Sequence, residues 1–270
     1  VPRRPFALLL GLCLVTACGS APAAQGTPAV ASPSPGRADT VAAEAAFGLL
    51  GQLDEAWRTL DCAAVEHFTT WAENVLGGRA CEATRNDRPA SPPGRPPSSD
   101  SKAPDLGEYS APEFFLPAED DWFAALATKP SPAYFVFVRE DGSWRLAAGP
   151  IPLVDEAPSL ASDVTPAPQT AVKARLVPQR HVTYLTDPAG VSGVRFPSGD
   201  PVRDLFSATT EKQADVKLVP GPTRALALAD GAMLVFHALE IDASDHAVLA
   251  TRITPGNKLS TVAIRQTSVG

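Results

Sequence analysis

The chain is poor in the residues on which most enzyme chemistry is built. Its 270 residues include four cysteines, four histidines and one methionine. No two of the histidines, His67, His181, His237 and His246, stand at zinc-ligand spacing, so no metal site is read and no cofactor is implied. Ser98, Ser99, Asp100 and Ser101 lack the glycine frame of a nucleophile elbow, and there is no glycine-rich phosphate-binding loop. Positive charge is scarce too: 23 Lys and Arg face 30 Asp and Glu, a formal net charge of −7. That balance excludes nonspecific nucleic-acid binding and gives an anionic bilayer little electrostatic hold. No apolar stretch reaches the ~20 residues of a membrane-spanning helix; Phe6 to Val15 is about half that length.

What is present at the start has the layout of an export signal. Val1 to Arg4 carry two positive charges, Phe6 to Val15 are apolar, and Thr16, Ala17, Cys18 and Gly19 are small. Val15, Thr16, Ala17 and Cys18 resemble the lipobox of bacterial lipoproteins. The resemblance implies a signal peptide over residues 1–17, cleavage after Ala17 and a diacylglyceryl group on the Cys18 thiol. The membrane partner would then be reached through that lipid, each buried CH₂ contributing about 0.8 kcal/mol. An ordinary secretory signal cut near Ala21 to Ala24 is the alternative. Arg3 and Arg4 also resemble a weak twin-arginine signal, which leaves the export route open.

With Cys13 in the leader and Cys18 lipidated, Cys62 and Cys81 are the remaining pair. In an oxidising compartment such a pair is expected to form a disulfide. A metal site built on these two cysteines would lack the further ligands that zinc requires.

Residues 18–40, rich in Ala, Pro, Ser and Gly, read as a tether that cannot pack a core. Asp39 or Thr40 then caps a helix whose apolar face is Ala46, Leu49, Leu50, Leu53, Trp57 and Leu60. Asp61 caps a second helix carrying Val65, Phe68, Ala72, Val75 and Leu76, expected to stop at Gly77 and Gly78. Arg85 to Pro104 is a polar, proline-rich loop.

Strands follow at Trp122–Ala127, Tyr134–Val138 and Trp144–Ala148, with Asp141-Gly142 as a hairpin turn. In Tyr134–Val138 both alternating faces are apolar, so the strand is expected to be covered on both sides. The composition of residues 155–170 suggests a linker. Beyond it, Asp200-Pro201 opens a short helix, and β patterns run over Thr223–Ala229, Met233–Ile241, Ala247–Ile253 and Leu259–Gln266, with a turn at Asp230-Gly231. Both halves therefore read as helix first and meander afterwards.

The stretches Leu49 to Trp71 and Tyr134 to Pro152 resemble the two ends of a nuclear-transport-factor-2-like, or SnoaL-like, fold. That family packs N-terminal helices into a curved antiparallel sheet, a cone around an internal pocket. Trp122–Ala127, Tyr134–Ala147 and Asp230–Leu239 are similar to segments of uncharacterised two-part lipoproteins of high-GC Gram-positive bacteria. The expected fold class is α+β, with a cone-like domain over 41–154 and a second, mainly β domain over 171–270.

Enzymes of the cone fold keep Asp, His or Tyr in the pocket as acid or base. His67, Trp122, Tyr134 and Trp144 are accordingly the residues that would line such a pocket here, with simple core packing as the alternative for the aromatics. Asp120 and Asp121 form adjacent carboxylates, which alternate faces on a strand and so suit a solvated loop better than paired acid-base work. His237, between Phe236 and Ala238, reads as a structural histidine. These observations point to a lipid-anchored binding or interaction protein on the outer face of the cytoplasmic membrane, taking a small apolar ligand or an envelope protein. The alternatives are an isomerase-, cyclase- or hydratase-type enzyme and a structural component of an envelope complex.

Overall fold

A computed structural model of the chain describes residues 39–86, 105–117, 121–161, 165–187 and 189–268. The leader, Cys18, the tether, the serines at 98–101 and Asp120 lie outside the described residues. The remainder combines helices with antiparallel sheet, an α+β arrangement.

Asp39 caps the first helix as expected, its Oδ1 accepting from the Ala42 N–H at 2.7 Å. The helical stretch divides at Gly48 into α1 (Thr40–Phe47) and α2 (Leu49–Arg58). Asp61 caps α3 (Cys62–Phe68) by accepting from Ala64 N–H at 3.0 Å. Here the expected second helix departs from the sequence reading. The chain turns out at Thr69, where its backbone pairs with Leu146, and restarts as α4 (Trp71–Glu73). It then continues through a π-helical turn (Asn74–Gly78) into α5 (Arg79–Arg85). Gly77 and Gly78 do not stop the helix: both are buried, and Gly78 keeps right-handed helical angles of φ −60° and ψ −49°. Tertiary packing overrides the local preference of glycine for a helix end. The Cys62–Cys81 disulfide ties α3 to α5.

The first sheet is the meander β1 (Ser110–Phe115), β2 (Trp122–Lys129), β3 (Ala133–Glu140) and β4 (Ser143–Pro152), each strand pairing with the next. Asp141 and Gly142 turn the β3–β4 hairpin with φ of 50° and 79°, the left-handed pair that the Asp-Gly dipeptide favours. β3 is covered on both faces. Phe135 and Phe137 point to α1–α3, whereas Tyr134, Val136 and Val138 point away from them.

The second half repeats the order. Helices α6 (Pro168–Arg175), α7 (Val177–Leu185) and α8 (Val202–Lys212) precede β5 (Val216–Leu218), β6 (Arg224–Ala227), β7 (Met233–Ile241), β8 (Asp245–Ile253) and β9 (Leu259–Ser268). The sheet order is β5-β7-β8-β9, with β6 also paired to β7. Val235, Leu239, Leu249 and Ile253 face the helices; Leu234, Phe236, Val248 and Ala250 face the first sheet.

The two sheets therefore pack against each other, with Phe236 meeting Tyr134 at 5.6 Å and Trp122 at 6.4 Å between ring centroids. The result is four layers, helix, sheet, sheet, helix, with one apolar core shared by residues from both halves. Where the sequence reads a linker over 155–170, Val154 N–H donates to Val262 C=O at 2.9 Å and Ala229 N–H to Ser159 C=O at 3.0 Å. Residues 154–161 are thus held along the second sheet, and Pro168 already begins α6.

Candidate functional site

In the first half, the space between helices and sheet is filled by rings. Phe123 stacks on Phe137 at 4.9 Å, Phe47 meets Phe135 at 5.5 Å, and Tyr109 meets Phe135 at 5.0 Å. The four residues expected to line a pocket are not brought together. His67 is exposed at the end of α3 beside Phe68. Trp144 is half-buried on the helix side against Phe123, whereas Trp122 and Tyr134 are buried on the opposite face, between the sheets. Burial in that core raises the Tyr134 hydroxyl pKa above its usual range, and the hydroxyl has no hydrogen-bond partner among the described residues. These aromatics pack as core among the described residues.

The second half differs in its interior. Alternation along β7 places His237 on the helix-facing side, between Val235 and Leu239, and alternation along β8 does the same for Thr251. His181, on α7, descends onto them, its ring centroid 4.5 Å from that of His237. Both imidazoles are buried, at 0% and 3% exposure. His181 Nδ1–H donates to the Val177 carbonyl at 3.0 Å, which leaves Nε2 to accept from the Thr251 hydroxyl at 3.4 Å. Among the described residues, neither ring nitrogen of His237 makes a well-formed hydrogen bond. Burial lowers the His181 pKa to about 4, against smaller opposing effects of the Val177 carbonyl and Asp200. Burial and the neighbouring His181 push His237 well below the ordinary imidazole value. Both rings are therefore neutral at neutral pH.

Asp200 lies close by, and its oxygens are already engaged. Oδ1 accepts from Val202 N–H at 3.0 Å and from the Thr261 hydroxyl at 2.7 Å, and Oδ2 accepts from Thr261 N–H at 2.8 Å. It caps α8 and pins that helix to β9, so it does not complete a hydrogen-bonded His-Asp pair.

The loop between α7 and α8 roofs this interior. Phe196 is buried, 4.8 Å from the His181 ring on one side and 4.9 Å from Tyr184 on the other, and Tyr184 meets Phe206 at 5.0 Å. Outside these rings lies a cavity of about 250 Å³. Tyr184, Phe196 and Phe206 form its apolar wall, and Arg195, Arg203 and Asp187 its polar one. The loop bends at Gly190, Gly193 and Gly199, with φ of 67°, 73° and 80°. Asp187 stabilises the bend by accepting from Ser192 N–H at 2.6 Å, and the hydrogen bonds from Ser192 hold its carboxyl below the usual range.

A larger cavity, about 650 Å³, lies beneath the strap at 155–159, where Arg252 is paired with Asp230. Among the described residues no group of His, Cys, Asp and Glu could hold a metal ion, and no helix is long and apolar enough to cross a membrane.

Sequence reasoning missed the histidine pair. The sequence pattern places His237 in a strand as a structural histidine but carries no clear helix signal over α6 and α7, so nothing in it sets His181 opposite. No family model matches the chain, nor does any curated protein or solved structure.

Proposed function

We propose that this protein is a lipid-anchored extracytoplasmic binding module whose ligand site lies in the second half, at the cavity walled by Tyr184, Phe196 and Phe206. The observation that carries the reading is the contrast between two similarly built interiors. One is packed with aromatic rings; the other keeps two buried imidazoles and a carboxylate beneath an aromatic-walled opening. A buried polar group left without a partner costs about 1–3 kcal/mol, and His237 carries that cost with both of its ring nitrogens. Helices followed by a meander in each half support reading the molecule as two cone-like units of the nuclear-transport-factor-2-like kind set sheet to sheet. The lipobox-like Cys18 and the Pro- and Ala-rich tether support the anchor, and the oxidised Cys62–Cys81 pair fits an exported location.

The test is a thermal-shift screen of the whole chain against lipids, cell-wall fragments and metabolites, together with mass spectrometry of the protein from its native membrane. A saturable shift and a diacylglyceryl mass on Cys18 are the expected results. An unmodified Cys18, or turnover of any compound, counts against the proposal.

The paired imidazoles favour the enzyme alternative. Against it, general-base efficiency peaks when the pKa lies near the working pH, and burial has moved both rings far below that.

A further inference from the structure

We propose that the cavity between Tyr184, Phe196 and Phe206 takes a small carboxylate borne on a single flat ring, an aryl or heteroaryl monocarboxylate. This deepens the binding reading above and rests on it. Size decides first: a cavity of about 250 Å³ falls below the ~300–1,000 Å³ of ordinary ligand pockets, so it has room for one ring and not for an acyl chain or an oligosaccharide. The wall decides the body of the ligand. Tyr184 stands edge-on to Phe196 at an interplanar angle of 62° and tilted to Phe206 at 41°, which leaves aromatic faces and edges for a further ring to pack on.

The rim decides the charge. Arg195 and Arg203 are exposed at the opening, and their guanidinium groups match a carboxylate in geometry. Arg203 Nη1 reaches the Phe196 carbonyl only at a long 3.5 Å, so its remaining donors are available to a ligand. Asp187 is the one carboxylate of the cavity wall, and it is occupied within the loop by Ser192. A cationic ligand would thus meet two guanidiniums and an engaged carboxylate. Behind Phe196 the His181 imidazole, neutral through burial, brings no competing charge and serves as an internal reporter of ring packing at the site.

The experiment uses the whole chain with benzoate as the probe, benzyl alcohol as the ring without the charge, and acetate as the charge without the ring. Binding is followed by NMR of the histidine and aromatic side chains. Benzoate is expected to shift the His181 and Tyr184 signals saturably, with both controls much weaker. Arg203→Gln and Arg195→Gln, both at exposed positions, should each weaken benzoate about tenfold or more, the loss typical of one charged hydrogen bond. Unchanged thermal midpoints would show that these variants fold.

Equal binding of benzyl alcohol and benzoate, or full affinity in both arginine variants, would overturn the proposal. So would silence of His181 and Tyr184 toward benzoate. In that last case a panel of amines, short-chain lipids and saccharides separates the two levels. A shift of the same signals by any of them leaves the binding module standing and removes only the carboxylate class, whereas silence throughout removes both.

Discussion

Glu73 and Arg265 are both almost fully buried, and their charges meet where α4, β4 and β9 converge. Glu73 Oε1 also accepts from Gly149 N–H at 2.9 Å, and Arg265 Nη1 donates to the Gly149 carbonyl at 2.8 Å, so one glycine backbone is gripped from both halves of the chain. Gly149 is required there: its φ is 145°, and a Cβ would come within 2.6 Å of Phe135 Cδ1. Removing one partner of such a pair strands the other charge. Arg265→Met is expected to cost roughly 3–5 kcal/mol in urea denaturation, and adding Glu73→Gln should recover a substantial part of it. A double variant no more stable than the single one would show that the pairing is not what matters.

The histidines carry a prediction of their own at this scale. His181 titrates at about 4 in the folded state and near its ordinary 6.5 when unfolded; its charged neighbours are Asp200, which raises the value, and Arg180, which lowers it. His237 is displaced in the same direction. Below about pH 6.5 the unfolded chain takes up protons that the folded one refuses, so stability should be fully present above that pH and fall as pH drops toward 4. Urea midpoints measured between pH 7 and 4 check this. His237→Leu should flatten the slope whatever it does to the absolute stability.

Among the elements, the helices of the first half depend on a cross-link more than on propensity. α3 is seven residues long, α4 three and α5 seven, all below the length at which isolated helices persist. The disulfide closes a loop with a sequence separation of 19 and should contribute about 3 kcal/mol in the chain-entropy model. Reduction is therefore expected to lower the thermal midpoint, which calorimetry with and without a reductant can read. An unchanged midpoint in the reduced protein would contradict that expectation.

The elements also separate what was legible from what was not. Both Asp-Gly turns, the Asp39 and Asp61 caps and the long strands β2, β3, β4, β7, β8 and β9 follow from local chemistry and appear as expected. β1, β5 and the helices α6 and α7 were not foreseen. Ser110–Phe115 contains a proline and is largely exposed, and Pro168–Arg175 has a weak apolar face. Their form is decided by what they pack on.

For the whole molecule, the consequential feature is the core between the sheets. Trp122, Tyr134, Leu234, Phe236 and Val248 belong to one cluster, so each half alone would expose a broad apolar sheet face. We expect a single cooperative unfolding transition for the whole chain. Residues 39–154 and 155–268 expressed separately should be aggregated or molten by circular dichroism and NMR, and co-expression should restore a folded complex. A well-dispersed spectrum from either half alone would refute this.

The sequence by itself determined the class of the fold, the oxidised cysteine pair and the two-sided cover of β3, because caps, turns, alternation and cysteine bookkeeping act over a few residues. Only the tertiary structure decided that the two halves share a core, that aromatic rings pack the first interior and that His181 meets His237. Those outcomes depend on which faces meet across separations of tens to hundreds of residues, and a linear pattern marks a face without naming its partner.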